Sequence, residues 1–334
     1  MQGKKILAFV ILCVAVFSFL WASLVTEPSA RAENSAEAET AVRDGNCNLL
    51  ILGKDKAAGL SDVLMLASLD LSSGRLCIVQ IPRDTYFAYT EGSYKKINAA
   101  ARVLGGADEL CTRLSESLGV RIDGYVEFDL DFVRLAVDAV GGVELTVPCD
   151  MDYDDPVQGL SIHLNKGLQK LSGKDAVAFV RFRSGYARAD LGRMDAQKLF
   201  LAAFAKAFAE NLGGRELTET VLLAMRYVKT DVRLDTVLSL VSGLGRLASE
   251  EITILTLPGE EVQSEYSGAW YYILSREGCD EAIGQYVGGK IAEFDKARLF
   301  TDRERKSFDE IYQRKISAIT YTFDGLMRDG VWIE

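Results

Sequence analysis

The sequence predicts an α/β layered domain on a mixed sheet, carried outside a membrane by one amino-terminal helix. Three observations lead there. Short apolar runs alternate with helix-periodic segments, an unbroken apolar stretch stands near the start, and a polar tether joins the two.

Met1 to Lys5 holds Lys4 and Lys5, and Ile6 to Val25 is then apolar or small throughout. At about 1.5 Å per residue such a helix spans roughly 30 Å, the hydrocarbon thickness of a bilayer. Lysines ahead of the span place the amino terminus inside and the rest of the chain outside. Residues 1–25 are therefore expected to be a cytoplasmic stub and transmembrane anchor. The rival reading is a cleaved signal peptide ending at Ala30-Arg31-Ala32; the apolar run is longer than a usual signal core, which favours the anchor. Residues 26–46, rich in Ala, Glu and Ser, read as a flexible tether.

The body begins at Cys47. Asn48 to Gly53, Asp62 to Asp70 and Arg75 to Pro82 are strand candidates, the last two joined by Leu71-Ser72-Ser73-Gly74. Ala107 to Leu118 has helical spacing, with Leu110, Leu114 and Leu118 on one face. Tyr125 to Asp129 reads as a strand, Phe132 to Val140 as a helix, and Gly142 to Val147 as a strand. Ala176 to Phe182 is expected to be extended, and Asp190 to Asn211 to be a strong amphipathic helix. Helices follow at Leu217 to Val228 and Leu234 to Leu247, then a strand from Glu251 to Leu257 that Pro258-Gly259 stops. The main domain is thus set at 47–258, and 259–334 at a mainly helical carboxy-terminal extension with no task assigned.

The formal net charge of -10 excludes a general nucleic-acid binder, because phosphate backbones need a broadly basic surface. An acidic protein that handles phosphate must concentrate its arginines. Cys13 lies in the apolar span, and Cys47, Cys77, Cys111, Cys149 and Cys279 show neither a C-x-x-C pair nor zinc spacing. An odd set of exported cysteines speaks against a complete disulfide framework. The single histidine, His163, stands in an alternating stretch and reads as structural.

Three constellations carry chemistry. Asp55 and Asp62 flank the turn after the first strand, and paired carboxylates are natural ligands for a hard divalent cation. Taken alone, most such pairs are only turn acids. Ile81-Pro82-Arg83-Asp84-Thr85 puts a guanidinium at a strand end, able to grip phosphate or merely to pair with Asp84. Arg181, Arg183, Arg188 and Arg193 cluster with Asp190 and Gln197. In an extended run Arg181 and Arg183 would share a face, and Arg193 and Gln197 share one at helical spacing. A solvated helix start with ion pairs to Asp190 and Asp195 accounts for the cluster equally well.

The order of these motifs, with Lys96-Ile97-Asn98-Ala99-Ala100, Val137 to Val143, Gly167 to Gly173 and Asp190-Leu191-Gly192-Arg193, resembles the LytR–CpsA–Psr family of bacterial cell-envelope enzymes. The likeness covers about Asn48 to Ala209. It implies an α/β/α sandwich with a central mixed sheet and an apolar groove for a polyprenyl chain. It further implies a Mg²⁺-dependent phosphotransferase that moves a glycopolymer phosphate from a polyprenyl-pyrophosphate donor to a peptidoglycan acceptor at the membrane. Carried over by position, Asp55 and Asp62 would organise Mg²⁺. Arg83, Arg181, Arg183, Arg188, Asp190, Arg193 and Gln197 would contact the donor, with Asp55, Arg83 and Arg193 as catalytic residues. Asp55, or less plausibly Asp190, would take the acceptor's proton. Leu60, Val63 and Ala196 stand where the family often has arginine, threonine and arginine. A non-catalytic binder or sensor of polyprenyl-linked glycan is the alternative.

Overall fold

The computed structural model describes residues 46–55, 59–70, 72–87, 95–156, 159–211, 226–232, 252–265, 267–288 and 305–331. The expected anchor, the tether and most of the expected helices at Leu217 to Val228 and Leu234 to Leu247 lie outside these residues. Among the described residues no helix is long and apolar enough to cross a membrane.

A mixed sheet forms the middle layer. β1 (Asn46–Asp55) lies at its centre, antiparallel to β2 (Leu60–Asp70) on one side and parallel to β4 (Gly124–Asp129) on the other. β2 continues to β3 (Arg75–Gln80), and β4 to the short β9 (Lys229–Thr230). β10 (Ile252–Thr256) runs parallel to β3, and β13 (Thr320–Thr322) closes that edge antiparallel to β10. Strand alternation sorts the apolar side chains into two cores. Cys47, Leu49, Met65, Ala67 and Ile78 face one side; Leu50, Leu52, Leu64, Leu66 and Val79 face the other.

Each face carries helices, giving the expected α/β/α sandwich. The Leu50 side packs α1 (Ala107–Leu118), through Leu110, Leu114 and Leu118, and α5 (Arg276–Tyr286). The Leu49 side packs α2 (Leu130–Ala139), α3 (Gly173–Arg181), α4 (Ala189–Asn211) and α7 (Phe323–Asp329). Two antiparallel strand pairs cover the outer edge of that layer: β5 (Val143–Val147) with β8 (Gly167–Leu171), and, inserted between them in the chain, the hairpin of β6 (Met151–Asp155) and β7 (Leu160–Leu164).

Three expectations change. Ala176 to Phe182 is not extended, because Ser172 and Asp175 form a reciprocal capping box and Ala176 and Phe179 then bury one helical face. α4 is buried nearly all round rather than amphipathic, Ala196 and Ala203 sharing the core with Leu199 and Phe208 on different faces. The boundary at 258 separates nothing, since β13 belongs to the central sheet. Among the described residues after it helices are joined by strands: β11 (Gly259–Gln263) and β12 (Trp270–Leu274) pair as a hairpin, followed by α5, α6 (Arg305–Gln313), β13 and α7. The five described cysteines are free, and Cys77 is buried within β3.

Candidate active site

Between the sheet and the α2–α3–α4 layer runs a cavity of about 1540 Å³. Its floor is the sheet face bearing Leu49, Met65 and Ile78, and its roof includes Phe132, Phe200 and Phe204. Sites for drug-sized ligands occupy ~300–1,000 Å³, so this one has room for a long apolar chain.

The cavity's polar mouth lies where β1 turns into β2. Gly53 marks the spot: a Cβ there would come 2.9 Å from the Cβ of Val63, so only glycine lets the strands close. Asp55, Asp62, Arg83, Arg181, Arg183, Asp190, Arg193 and Gln197 all line this one cavity. Chain segments far apart in sequence therefore converge. Arg188 is the exception. It is exposed outside the lining, with Nη1 3.7 Å from Asp195 Oδ2, while the buried Lys198 donates to Asp195 Oδ1 at 2.5 Å.

At the centre stands Asp190. Its Oδ1 is 3.2 Å from Arg83 Nε and 2.9 Å from Arg193 Nη2, and its Oδ2 accepts from Arg193 Nη2 at 3.1 Å. Arg83 Nη1 in turn donates to Asp62 Oδ1 at 2.6 Å. Burial pulls the Arg83 guanidinium down, but Asp190 and Asp62 outweigh it and its pKa is raised. For Arg193 burial prevails over Asp190, helped by the positive Arg83 and Arg183, and its pKa is lowered. Arg193 Nε is buried with no hydrogen-bond partner. An arginine so placed gains from an added anion, and a phosphate oxygen supplies one. Gln197, one turn along α4, donates to the Val180 carbonyl at 3.2 Å, joining α4 to α3 rather than pointing a free amide outward.

Ala189, which opens α4 and lines the cavity, has φ 42°, a left-handed conformation that a non-glycine residue rarely adopts. Gly192 lets α4 approach its own loop: a Cβ there would meet Tyr186 Cβ at 2.5 Å. Both features set the direction in which Asp190 and Arg193 project.

The lining carries five bases (Lys54, Arg83, Arg181, Arg183 and Arg193) against seven carboxylates. An added cation would offset that excess of negative charge beside a pyrophosphate. No cluster of three or more His, Cys, Asp or Glu able to hold a metal occurs among the described residues. Mg²⁺ usually takes only one or two carboxylates and completes its shell from phosphate and water. Asp55 and Asp62 fit that mode. Sequence reasoning gave no role to Lys54, Asp129, Glu261 and Trp270, which share the same lining. Ala196, which stands where the family often has arginine, proves fully buried and outside the cavity lining, so an alanine there belongs to the core.

A sequence model of the LytR_cpsA_psr family matches residues 15–286. The chain belongs to that family. It is 31% identical over 218 residues to the polyisoprenyl-teichoic acid–peptidoglycan teichoic acid transferase TagV of Bacillus subtilis, an alignment covering 64% of this chain and 56% of that protein. The chain thus spans little more than half of TagV. With the TagU transferase of Bacillus mycoides it shares 31% identity over 256 residues, 74% of this chain and 81% of that one. The crystal structure of B. subtilis TagV superposes with a TM-score of 0.60 at 28% identity, covering 73% and 98% of the two chains. The gbs0355 protein of Streptococcus agalactiae gives a TM-score of 0.64 at 18% identity over 80% and 95%, a likeness of fold alone.

Proposed function

We propose that this protein transfers a glycopolymer phosphate from a polyprenyl-pyrophosphate carrier to a peptidoglycan hydroxyl, forming a phosphodiester and releasing polyprenyl phosphate. The observation that carries the reading is the junction of a long apolar cavity with a mouth of arginines and aspartates. A lipid tail fits the first and a pyrophosphate the second. The names of TagV and TagU make a teichoic acid the first polymer to test.

Phosphoryl transfer asks the protein chiefly for positioning and for neutralisation of charge on the equatorial and leaving oxygens. Arg83 and Arg193, held in fixed orientation by Asp190, present planar forks to the donor phosphates. Arg181 at the end of α3 and Arg183 just beyond it line the same cavity and add positive charge. Asp55 and Asp62 would hold Mg²⁺, which when bound supplies the positive charge the carboxylate-rich mouth lacks. A carboxylate committed to a cation, or to two arginines as Asp190 is, makes a poor proton acceptor. Neither Asp55 nor Asp190 is therefore assigned that task.

Ile6 to Val25 would anchor the enzyme in the cell membrane with the body outside, where both substrates reside. The test is release of polyprenyl phosphate from a lipid-pyrophosphate teichoic acid precursor by the exported body, with peptidoglycan present. Turnover that stops on chelation and returns with Mg²⁺ supports the assignment; tight donor binding without turnover under every acceptor would instead identify a binder.

A further inference from the structure

The mouth has a wall that none of the motifs accounts for. It is the hairpin of β11 and β12, docked edge-on against the loop that carries Arg83. Tyr86 N donates to the Tyr272 carbonyl, and Tyr272 N to the Asp84 carbonyl, both at 2.9 Å. From behind, Tyr271 and Ile273 are locked into a cluster with Tyr86, Phe308 and Tyr312. The hairpin is thus a fixed part of the site.

Its register decides what it presents. Glu261 pairs with Tyr272 and Gln263 with Trp270, so these four side chains share the face opposite the aromatic cluster. Glu261 and Trp270 both line the cavity. Trp270 is 55% exposed, a large indole left in water at the rim of a site built for glycan chemistry. Glu261 is exposed at the same rim and, unlike Asp62, Asp84 and Asp190, makes no ion pair or hydrogen bond among the described residues.

We propose that this hairpin face is the acceptor subsite, Trp270 stacking against a sugar ring of peptidoglycan and Glu261 taking the proton from its attacking hydroxyl. The inference rests on the transferase reading above. The acceptor oxygen bonds to the glycan-bearing phosphorus as its proton passes to the Glu261 carboxylate. The bridging bond to the second phosphorus's oxygen breaks, polyprenyl phosphate leaves with the electron pair, and Glu261 returns the proton to water. Loss of hydration in the cleft, then the negative Asp190 and Asp84, raises the Glu261 pKa; Arg188 and Lys96 oppose this. A carboxylate shifted toward neutrality is a better base than a fully solvated one.

The experiment compares wild type with Glu261→Gln, Glu261→Asp and Trp270→Ala, using the full chain with a lipid-pyrophosphate teichoic acid precursor and soluble peptidoglycan glycan strands. Donor binding and transfer are measured separately. Glu261→Gln should bind donor as wild type does, yet lose about 10²–10⁴-fold in transfer kcat, with partial recovery in Glu261→Asp. The acidic limb of the wild-type kcat profile should vanish in Glu261→Gln. Trp270→Ala should raise the acceptor KM at least tenfold with kcat little changed. A wild type that transfers normally alongside an equally active Glu261→Gln would overturn this inference alone; a wild type that never transfers would overturn the function on which it rests.

Discussion

Arg83 Nη1 lies 2.6 Å from Asp62 Oδ1, a contact that ties the loop after β3 to the start of β2 across the mouth of the cavity. The same guanidinium faces Asp190 through Nε, so one side chain joins both halves of the charged site. Replacing Arg83 with alanine should lower turnover by about 10²–10³-fold, as loss of one preorganised donor does elsewhere. Lysine should not restore it, because a single ammonium cannot serve two partners and a phosphate from fixed directions. Steady-state assays with far-ultraviolet circular dichroism separate this from misfolding.

Asp190→Asn removes the carboxylate paired with Arg193 while leaving two guanidiniums close together. Breaking a buried pair on one side typically costs about 3 kcal/mol or more. The variant should melt earlier, and added inorganic pyrophosphate should raise its melting temperature more than it raises that of wild type. Equal shifts would argue that the anion binds elsewhere.

The apolar cavity makes its own prediction. Ala136, 3% exposed, lines it from α2. Ala136→Phe should narrow the path, weakening a donor with a full-length polyprenyl tail far more than one with a short tail. Inhibition constants across a chain-length series would show the divergence, and a uniform loss would count against a lipid-filled cavity.

The turn after β2 sets an acid-sensitive contribution to stability. Asp70 Oδ1 accepts from Ser72 N at 2.9 Å and Ser73 N at 3.1 Å. Slight burial pushes the Asp70 carboxyl up, but the serine hydrogen bonds prevail and hold it well below the usual carboxylate range. A depressed carboxylate contributes stability that is full above its unfolded pKa, near 3.9, and is lost as pH falls through its folded value. Asp70→Ala should therefore cost about 1 kcal/mol at neutral pH. Urea melts should show the gap closing as the pH drops below about 4.

How far the sequence could be read depended on what each residue's surroundings demanded. β1, β2 and β3 were legible because strands buried on both faces leave unbroken apolar runs, as in Leu49 to Leu52. The arginine cluster was legible through composition alone, and its convergence held although Arg181 ends a helix instead of riding a strand. A short, mostly apolar run is ambiguous between the two, and the decisive signal was Ser172 with Asp175 three residues on. Arg188 shows the limit of proximity in sequence: a neighbour of Asp190 along the chain, it turns toward Asp195 instead. Glu261 and Trp270 were invisible for another reason. Their place in the site depends on backbone bonds from Tyr272 to the Arg83 loop, and such bonds leave no mark on side-chain pattern.

The family match ends at residue 286, yet β13 at Thr320–Thr322 supplies the outer rung beside β10. During synthesis the ribosome must deliver that rung after every side chain that lines the cavity has emerged. Until then β10 offers an unpaired edge to any neighbouring chain, so the newborn protein's most vulnerable interval falls between completion of its chemistry and completion of its sheet.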